Sequence, residues 1–198
     1  MPDFDLINLE KEFNHKAILE ESSQSENNGL ADQGVGRIKS FFRSSNFPES
    51  HSVFHANNIP FLFPNKNEKV YDNIKCNGQK IILSKRYCSK VYFISFNDFI
   101  ESDDIVELLF ECDISETQSI KSLPWGKAGM YKDNDFEFVN KFFKNYQCIL
   151  QGKNTNEADV GCTLCSIDIA NCNKELYAIQ LPDNPILHIF SITFELFG

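Results

Sequence analysis

The stretch that most constrains this chain runs from residue 59 to residue 83. It reads Ile-Pro-Phe-Leu-Phe-Pro, then a polar loop, then an Asn77-Gly78 turn signal leading into Ile81-Ile82-Leu83. An apolar run closed by proline, followed by a β-branched run entered through Asn-Gly, is the pattern of β-strands joined by tight turns. Pro60 and Pro64 have no N–H to give to a ladder, so the first run belongs at the edge or the end of a sheet. Lys90 to Phe96 is apolar on both alternating sets, as a central strand covered on two faces should be. From Ile105 to Cys112, Val106, Leu108, Phe110 and Cys112 alternate with Glu107 and Glu111, which predicts a strand with one buried and one wet face.

Phe4 to Leu9 and Phe13 to Ile18 are short extended stretches suited to edges. Glu20 to Gly36 turns to Ser, Gln, Glu, Asn and Gly and predicts a long surface loop. Further strands are expected at Ile38 to Phe42, Val53 to His55, Tyr146 to Leu150 and Cys162 to Ala170. Leu176 to Leu181 and Leu187 to Leu196 read as a closing hairpin across Pro182-Asp183-Asn184-Pro185. Phe136 to Phe143 fits strand and helix spacing equally, and the conformation of 132–159 stays open. Many short strands without βαβ alternation predict an all-β fold, an antiparallel two-sheet β-sandwich with at most one or two short helices. One domain over residues 1–198 is expected, because no linker divides the chain.

Charge narrows the partners. Among 198 residues the net charge is -9, and nucleic-acid binding needs clustered Lys and Arg that displace counterions from phosphates. No nucleic acid is expected. No window approaches the roughly 20 apolar residues of a membrane span, and the start has no signal-like apolar core, so no membrane partner and a cytoplasmic location are expected. Seven cysteines scattered through apolar segments have the distribution of reduced core thiols.

Histidine and carboxylate positions offer the acid–base chemistry. Histidine as a residue type suits acid–base work, which makes His188 the leading candidate, yet it shares phase with Phe190, Ile192, Phe194 and Leu196, so a hydrogen-bonded core histidine competes with a catalytic one. His15, His55 and Asp72 complete the set of weak catalytic candidates. Cys162-x-x-Cys165 with Cys172 and His188 counts four zinc donors. Strand residues three apart face opposite sides, however, so no metal site and no cofactor are expected. Asp133, Asp135 and Glu137 begin like a calcium loop, but Phe138 stands at its glycine position and Lys144 at its closing glutamate. Whether a Ca2+ ion is held between loops stays open. Asp98, Glu101, Asp103 and Asp104 read as a solvated acidic turn. No phosphate loop or nucleophile elbow is present.

Trp125, between Pro124 and Gly126 and followed by Tyr131, is either a stacking platform for a sugar ring or a plug over the core. Asp32 and Gln33 in the Gly-rich loop would supply hydrogen bonds to hydroxyls if that loop lined a pocket.

Three stretches carry a resemblance. They are Asp5 to Ile18 with Phe13-Asn14-His15-Lys16; Ile59 to Pro64 continuing into Asp72-Asn73-Ile74-Lys75-Cys76-Asn77-Gly78; and Leu181-Pro182-Asp183-Asn184-Pro185 running into His188 to Thr193. Together they resemble the β-sandwich accessory domains attached to bacterial glycoside hydrolases, here free-standing. The resemblance implies a jelly-roll-like, galactose-binding-type sandwich with a sugar-related role, although fold alone does not carry function.

The expected function is therefore binding of a carbohydrate or glycosylated small molecule in a loop-lined cleft, with Trp125, Tyr131, Asp32 and Gln33 as ligand contacts. The alternatives are a small biosynthetic enzyme, a cyclase or isomerase, using acid–base residues in the same cleft, and a structural or oligomerising subunit such as a homodimer.

Overall fold

The computed structural model describes residues 2–19, 29–31, 39–130 and 146–197. In chain order the strands are β1 (Phe4–Leu6), β2 (Ile18–Leu19), β3 (Leu30–Ala31), β4 (Lys39–Ser40), β5 (Phe42–Arg43), β6 (Val53–Ala56), β7 (Ile59–Leu62) and β8 (Ile74–Lys75). After these come β9 (Lys80–Arg86), β10 (Cys88–Asn97), β11 (Ser102–Phe110), β12 (Ile114–Ser122), β13 (Tyr146–Lys153), β14 (Asp159–Asp168), β15 (Leu176–Gln180) and β16 (Leu187–Leu196). A single α-helix, α1 (Trp125–Met130), and a 3-10 turn at Ser44–Asn46 complete the described elements.

Two antiparallel sheets face each other. One runs β1–β16–β10–β14–β13, with β8 also on β16, and the other runs β12–β11–β15–β9. The all-β sandwich expected from the alternating polarity is what forms. Between the sheets lies an aliphatic core that includes Val91, Phe93, Val106, Leu108, Ile167, Ile179, Ile189 and Ile192. A second core, rich in phenylalanine, lies on the other face of the first sheet. It is roofed by the short elements and holds Phe42, Phe47, Phe61, Phe63, Phe96, Trp125 and Phe190.

This double covering explains why β10 is apolar on both alternating sets. Val91 and Phe93 enter the aliphatic core, while Tyr92, Ile94 and Phe96 enter the aromatic one. At about 1.5–3 kcal/mol per fully buried large apolar side chain, this one strand contributes to two packing layers at once. In β11, Val106, Leu108 and Phe110 are buried with Glu107 between them, as its alternation predicts, whereas Cys112 lies beyond the strand in an exposed turn.

Two expectations need correction. The segments around Pro182–Pro185 do not form a hairpin: β15 pairs with β11 and β9, and β16 pairs with β10, β1 and β8 in the opposite sheet. Pro182 and Pro185 cannot donate to a ladder, and Asn184 Nδ2 donates to both carboxylate oxygens of Asp104 at 2.9 and 3.0 Å, which holds the connection across the sandwich. Likewise, His188 does not share a face with Ile192 and Phe194. The β10–β16 register jumps from Ile94↔Ser191 to Ser95↔Ile189, so Phe190 is a bulge residue. An extra residue reverses the facing of everything beyond it. His188 and Phe190 therefore look to the aromatic side, and Ile192 and Phe194 to the aliphatic side.

The turn expected at Asn77-Gly78 is present, with Gly78 at φ +68. Residues 136–143, Asp133, Asp135 and Glu137 lie outside the described residues.

Candidate functional site

The short N-terminal segment around His15 reaches the aromatic side of the first sheet by a single bridge to Asn73. Around that bridge lies a buried seam of polar side chains. Lys16 Nζ is 2.8 Å from Asp72 Oδ2 and donates to the carbonyls of Asn67 (2.9 Å) and Lys66 (3.3 Å). Its three N–H groups thus have three acceptors. Asp72 also receives Ala17 N (2.9 Å), Ile18 N (3.0 Å) and Asn73 Nδ2 (2.8 Å). Burial pushes the Asp72 carboxyl above the ordinary carboxylate range, and the Lys16 ammonium with these donated hydrogen bonds pulls it back.

Asn73 carries the seam onward. Its amide nitrogen faces the Asp72 carboxylate and the His15 carbonyl (3.2 Å), so its Oδ1 faces His188 Nδ1 at 2.8 Å. An amide oxygen only accepts, which places a proton on His188 Nδ1. The other ring nitrogen, Nε2, faces Asp98 Oδ1 at 3.4 Å. Neither Nε2 nor Asp98 Oδ1 has a hydrogen bond. The His188 ring stacks on Phe96 at 4.8 Å and 5°, and lies 4.7 Å from the His15 ring.

The seam gathers three of the four acid–base candidates, His15, Asp72 and His188. His55 is exposed on β6 and makes none of these contacts. Lys16, Asn73 and Asp98 are participants that sequence reasoning missed. Asp98 does not belong to a solvated turn: its side chain is only 16% exposed and is turned to His188. The available signals were a lysine set directly before the apolar pair Ala17-Ile18 and an amide next to Asp72. Neither is specific without the fold.

A separate shallow groove with a cavity volume of about 10 Å³ lies between the 7–13 segment and the β6–β7 hairpin. Its floor is Leu9, Phe13, Phe63 and Phe190, and on its rim His51 Nδ1 is 2.9 Å from Glu10 Oε1.

The ligand contacts expected from the sequence are placed as follows. Trp125 is 2% exposed and packs edge-on against Phe42 at 5.1 Å, so its ring fills the core rather than a loop surface. Asp32, Gln33 and Tyr131 lie outside the described residues.

Cys162 joins the aromatic core and Cys165 the aliphatic one, on opposite faces of β14. Among the described residues no group of three or more His, Cys, Asp and Glu converges as metal ligands. Burial pushes the Cys88 thiol up to about 12 and Cys148 to about 11, and raises Cys76 and Cys162 as well. These thiols stay protonated at neutral pH and are poor nucleophiles. Among the described residues no helix is long and apolar enough to cross a membrane.

Residues 6–196 match the family described as the AziU2-like beta-sandwich domain. No curated protein matches the chain.

Proposed function

The chain belongs to the AziU2-like beta-sandwich domain family, and from that premise we propose that it is a binding module for a carbohydrate or glycosylated small molecule, held in the groove beside the β6–β7 hairpin. The observation that carries this reading is the groove's lining, with aromatic rings on its floor and Glu10 and His51 on its rim. Ligand sites combine an apolar floor with a few convergent polar groups. The enclosed space, about 10 Å³, has room for about one water, so a sugar ring would lie across the open mouth of the groove rather than inside it. Phe13, the partly exposed ring of the lining, would pack the sugar face, and Asn8, Glu10 and His51 would meet its hydroxyls.

Titration calorimetry and thermal shift against monosaccharides and aryl glycosides test this. Binding in the micromolar to millimolar range is expected, weakened several-fold by His51→Ala and by Glu10→Gln while the fold is retained. Silence across both ligand classes, or binding that neither substitution alters, removes the groove as the site.

The second reading, a small cyclase or isomerase, is favoured by a different observation: His15, Asp72 and His188 are joined through Asn73. Asp98, the partly exposed member, would meet the substrate, and His188 behind it would accept or return a proton. In that case Asp98→Asn abolishes turnover of any identified substrate, and His51→Ala leaves the rate unchanged. The opposite pattern supports binding alone.

A further inference from the structure

The terminal strands of the two sheets are not equivalent. β1 has three residues and β8, also on β16, has two, too few to template a long pairing. β13 breaks its register between Ile149 and Gly152, with Leu150 in the left-handed region at φ 51. β9 pairs irregularly with β15 and carries Lys80, Lys85 and Arg86. Short length, bulges and charge are the devices by which natural sheets discourage edge-to-edge association.

β12 is neither short nor bulged. Its nine residues pair one-to-one with β11 without a shift, it contains no proline, and among the described residues no strand covers its outer side. Its two charges are both held by its own molecule. The Glu116 carboxylate accepts Ala170 N (3.1 Å), Asn171 N (3.1 Å) and Asn171 Nδ2 (2.9 Å), and Lys121 Nζ lies 3.5 Å from Asp103 Oδ2. What the edge offers is a row of small hydroxyls, Ser115, Thr117 and Ser119, the last donating to Asp103 Oδ1, on a chain whose net charge is -9.

We propose that β12 is a self-association edge, joining two copies of this chain antiparallel about a two-fold axis at Gln118 so that their four-stranded sheets become one continuous sheet. The sequence of the strand is complementary to itself in that register. Thr117 of one copy faces Ser119 of the other, and the reverse pair repeats it, the hydroxyl pairing that stabilises cross-strand neighbours. Glu116 faces Ile120, Ser115 faces Lys121 and Ile114 faces Ser122, so no like charges meet. A two-fold interface must use the same patch on both copies. An edge with no net charge, self-matched over nine residues, meets that requirement.

The test is light scattering behind size exclusion and sedimentation of the full chain, with peptide-resolved hydrogen exchange, from about 1 to about 200 µM, the range in which modest interfaces assemble. A concentration-dependent dimer is expected, with amide protection of Ile114–Ser122 rising as it forms. Thr117→Lys should weaken it about tenfold or more by placing a second cation beside Lys121 across the seam. Because Thr117 pairs with Glu107 on β11, that lysine gains a carboxylate neighbour within its own sheet and the monomer keeps its fold. Ser115→Lys, on the same exposed face, is an independent second variant.

A chain that remains monomeric over the whole range overturns the proposal. So does a dimer that both lysine variants leave intact, or one whose protected amides lie outside β12, since either result assigns the contact to another surface or another occupant.

Discussion

The two ends of the buried polar seam are built by opposite rules. At the Lys16–Asp72 end every donor and acceptor is matched: the ammonium has three acceptors, and the carboxylate receives four hydrogen bonds. At the His188–Asp98 end Nε2 and Oδ1 face each other at 3.4 Å, and neither has a hydrogen bond. Asn73 lies in the middle, so the matched end sets the amide's orientation and the amide sets the histidine tautomer. Saturation belongs where the chain must be pinned, and the unsatisfied pair sits where the seam comes closest to solvent.

Breaking the matched end should cost most. Lys16→Met leaves the Asp72 carboxylate buried without its cation, and a loss of about 3–5 kcal/mol in urea-denaturation stability is expected. A loss under about 1 kcal/mol would mean that the ion pair is not the clamp. Asn73→Ala comes next, at about 2–3 kcal/mol, because it strips partners from Asp72 and from His188 together. A double-mutant cycle of Asn73→Ala with His188→Gln should be strongly non-additive.

A third, surface example of saturation sharpens the comparison through pH. Partial burial pushes the Glu116 carboxyl up, but the hydrogen bonds from Ala170 N, Gln118, Asn171 N and Asn171 Nδ2 prevail and hold it below the ordinary carboxylate range. A carboxyl with a lowered native pKa adds stability that is present above its unfolded pKa and is lost as pH falls through the native one. Glu116→Gln should therefore lower stability by about 1 kcal/mol at neutral pH and flatten the decline on the acid side of about pH 4.5. Urea midpoints across that range test it.

The smallest effect should carry the opposite sign. Asp98→Asn can turn an amide N–H toward His188 Nε2, a buried nitrogen with no hydrogen-bond partner. A gain of about 0.5–1 kcal/mol is expected, against the loss when the matched end is broken. Destabilisation by Asp98→Asn would show that the carboxylate is already satisfied.

Much of the fold could be read from alternation alone. β10 reads as a strand covered on both faces and is one, with Val91 and Phe93 on one side and Tyr92, Ile94 and Phe96 on the other. β11 reads as half-buried and is. Pro60 sits in a two-stranded ribbon, opposite His55, as its missing N–H requires. Cys162 and Cys165 diverge because a period of two sends residues three apart to opposite faces. The candidate site was legible in its pieces but not in its assembly. His15, Asp72 and His188 were visible as titratable groups, whereas Asn73, which joins them, and Lys16, which neutralises one of them, look like ordinary surface residues in sequence.

What the residues determined unaided is therefore local: which segments extend, which faces bury, and where turns fall, because strand period and proline chemistry act over a few neighbours. The tertiary structure alone decided which strand lies beside which, and so sent β15 and β16 to opposite sheets. It also set the bulge at Phe190 that turns His188 away from Ile192, and the convergence of Lys16, Asp72 and His188 from three distant stretches. Those outcomes depend on long-range register, where a shift of one residue reverses a face without altering any local preference.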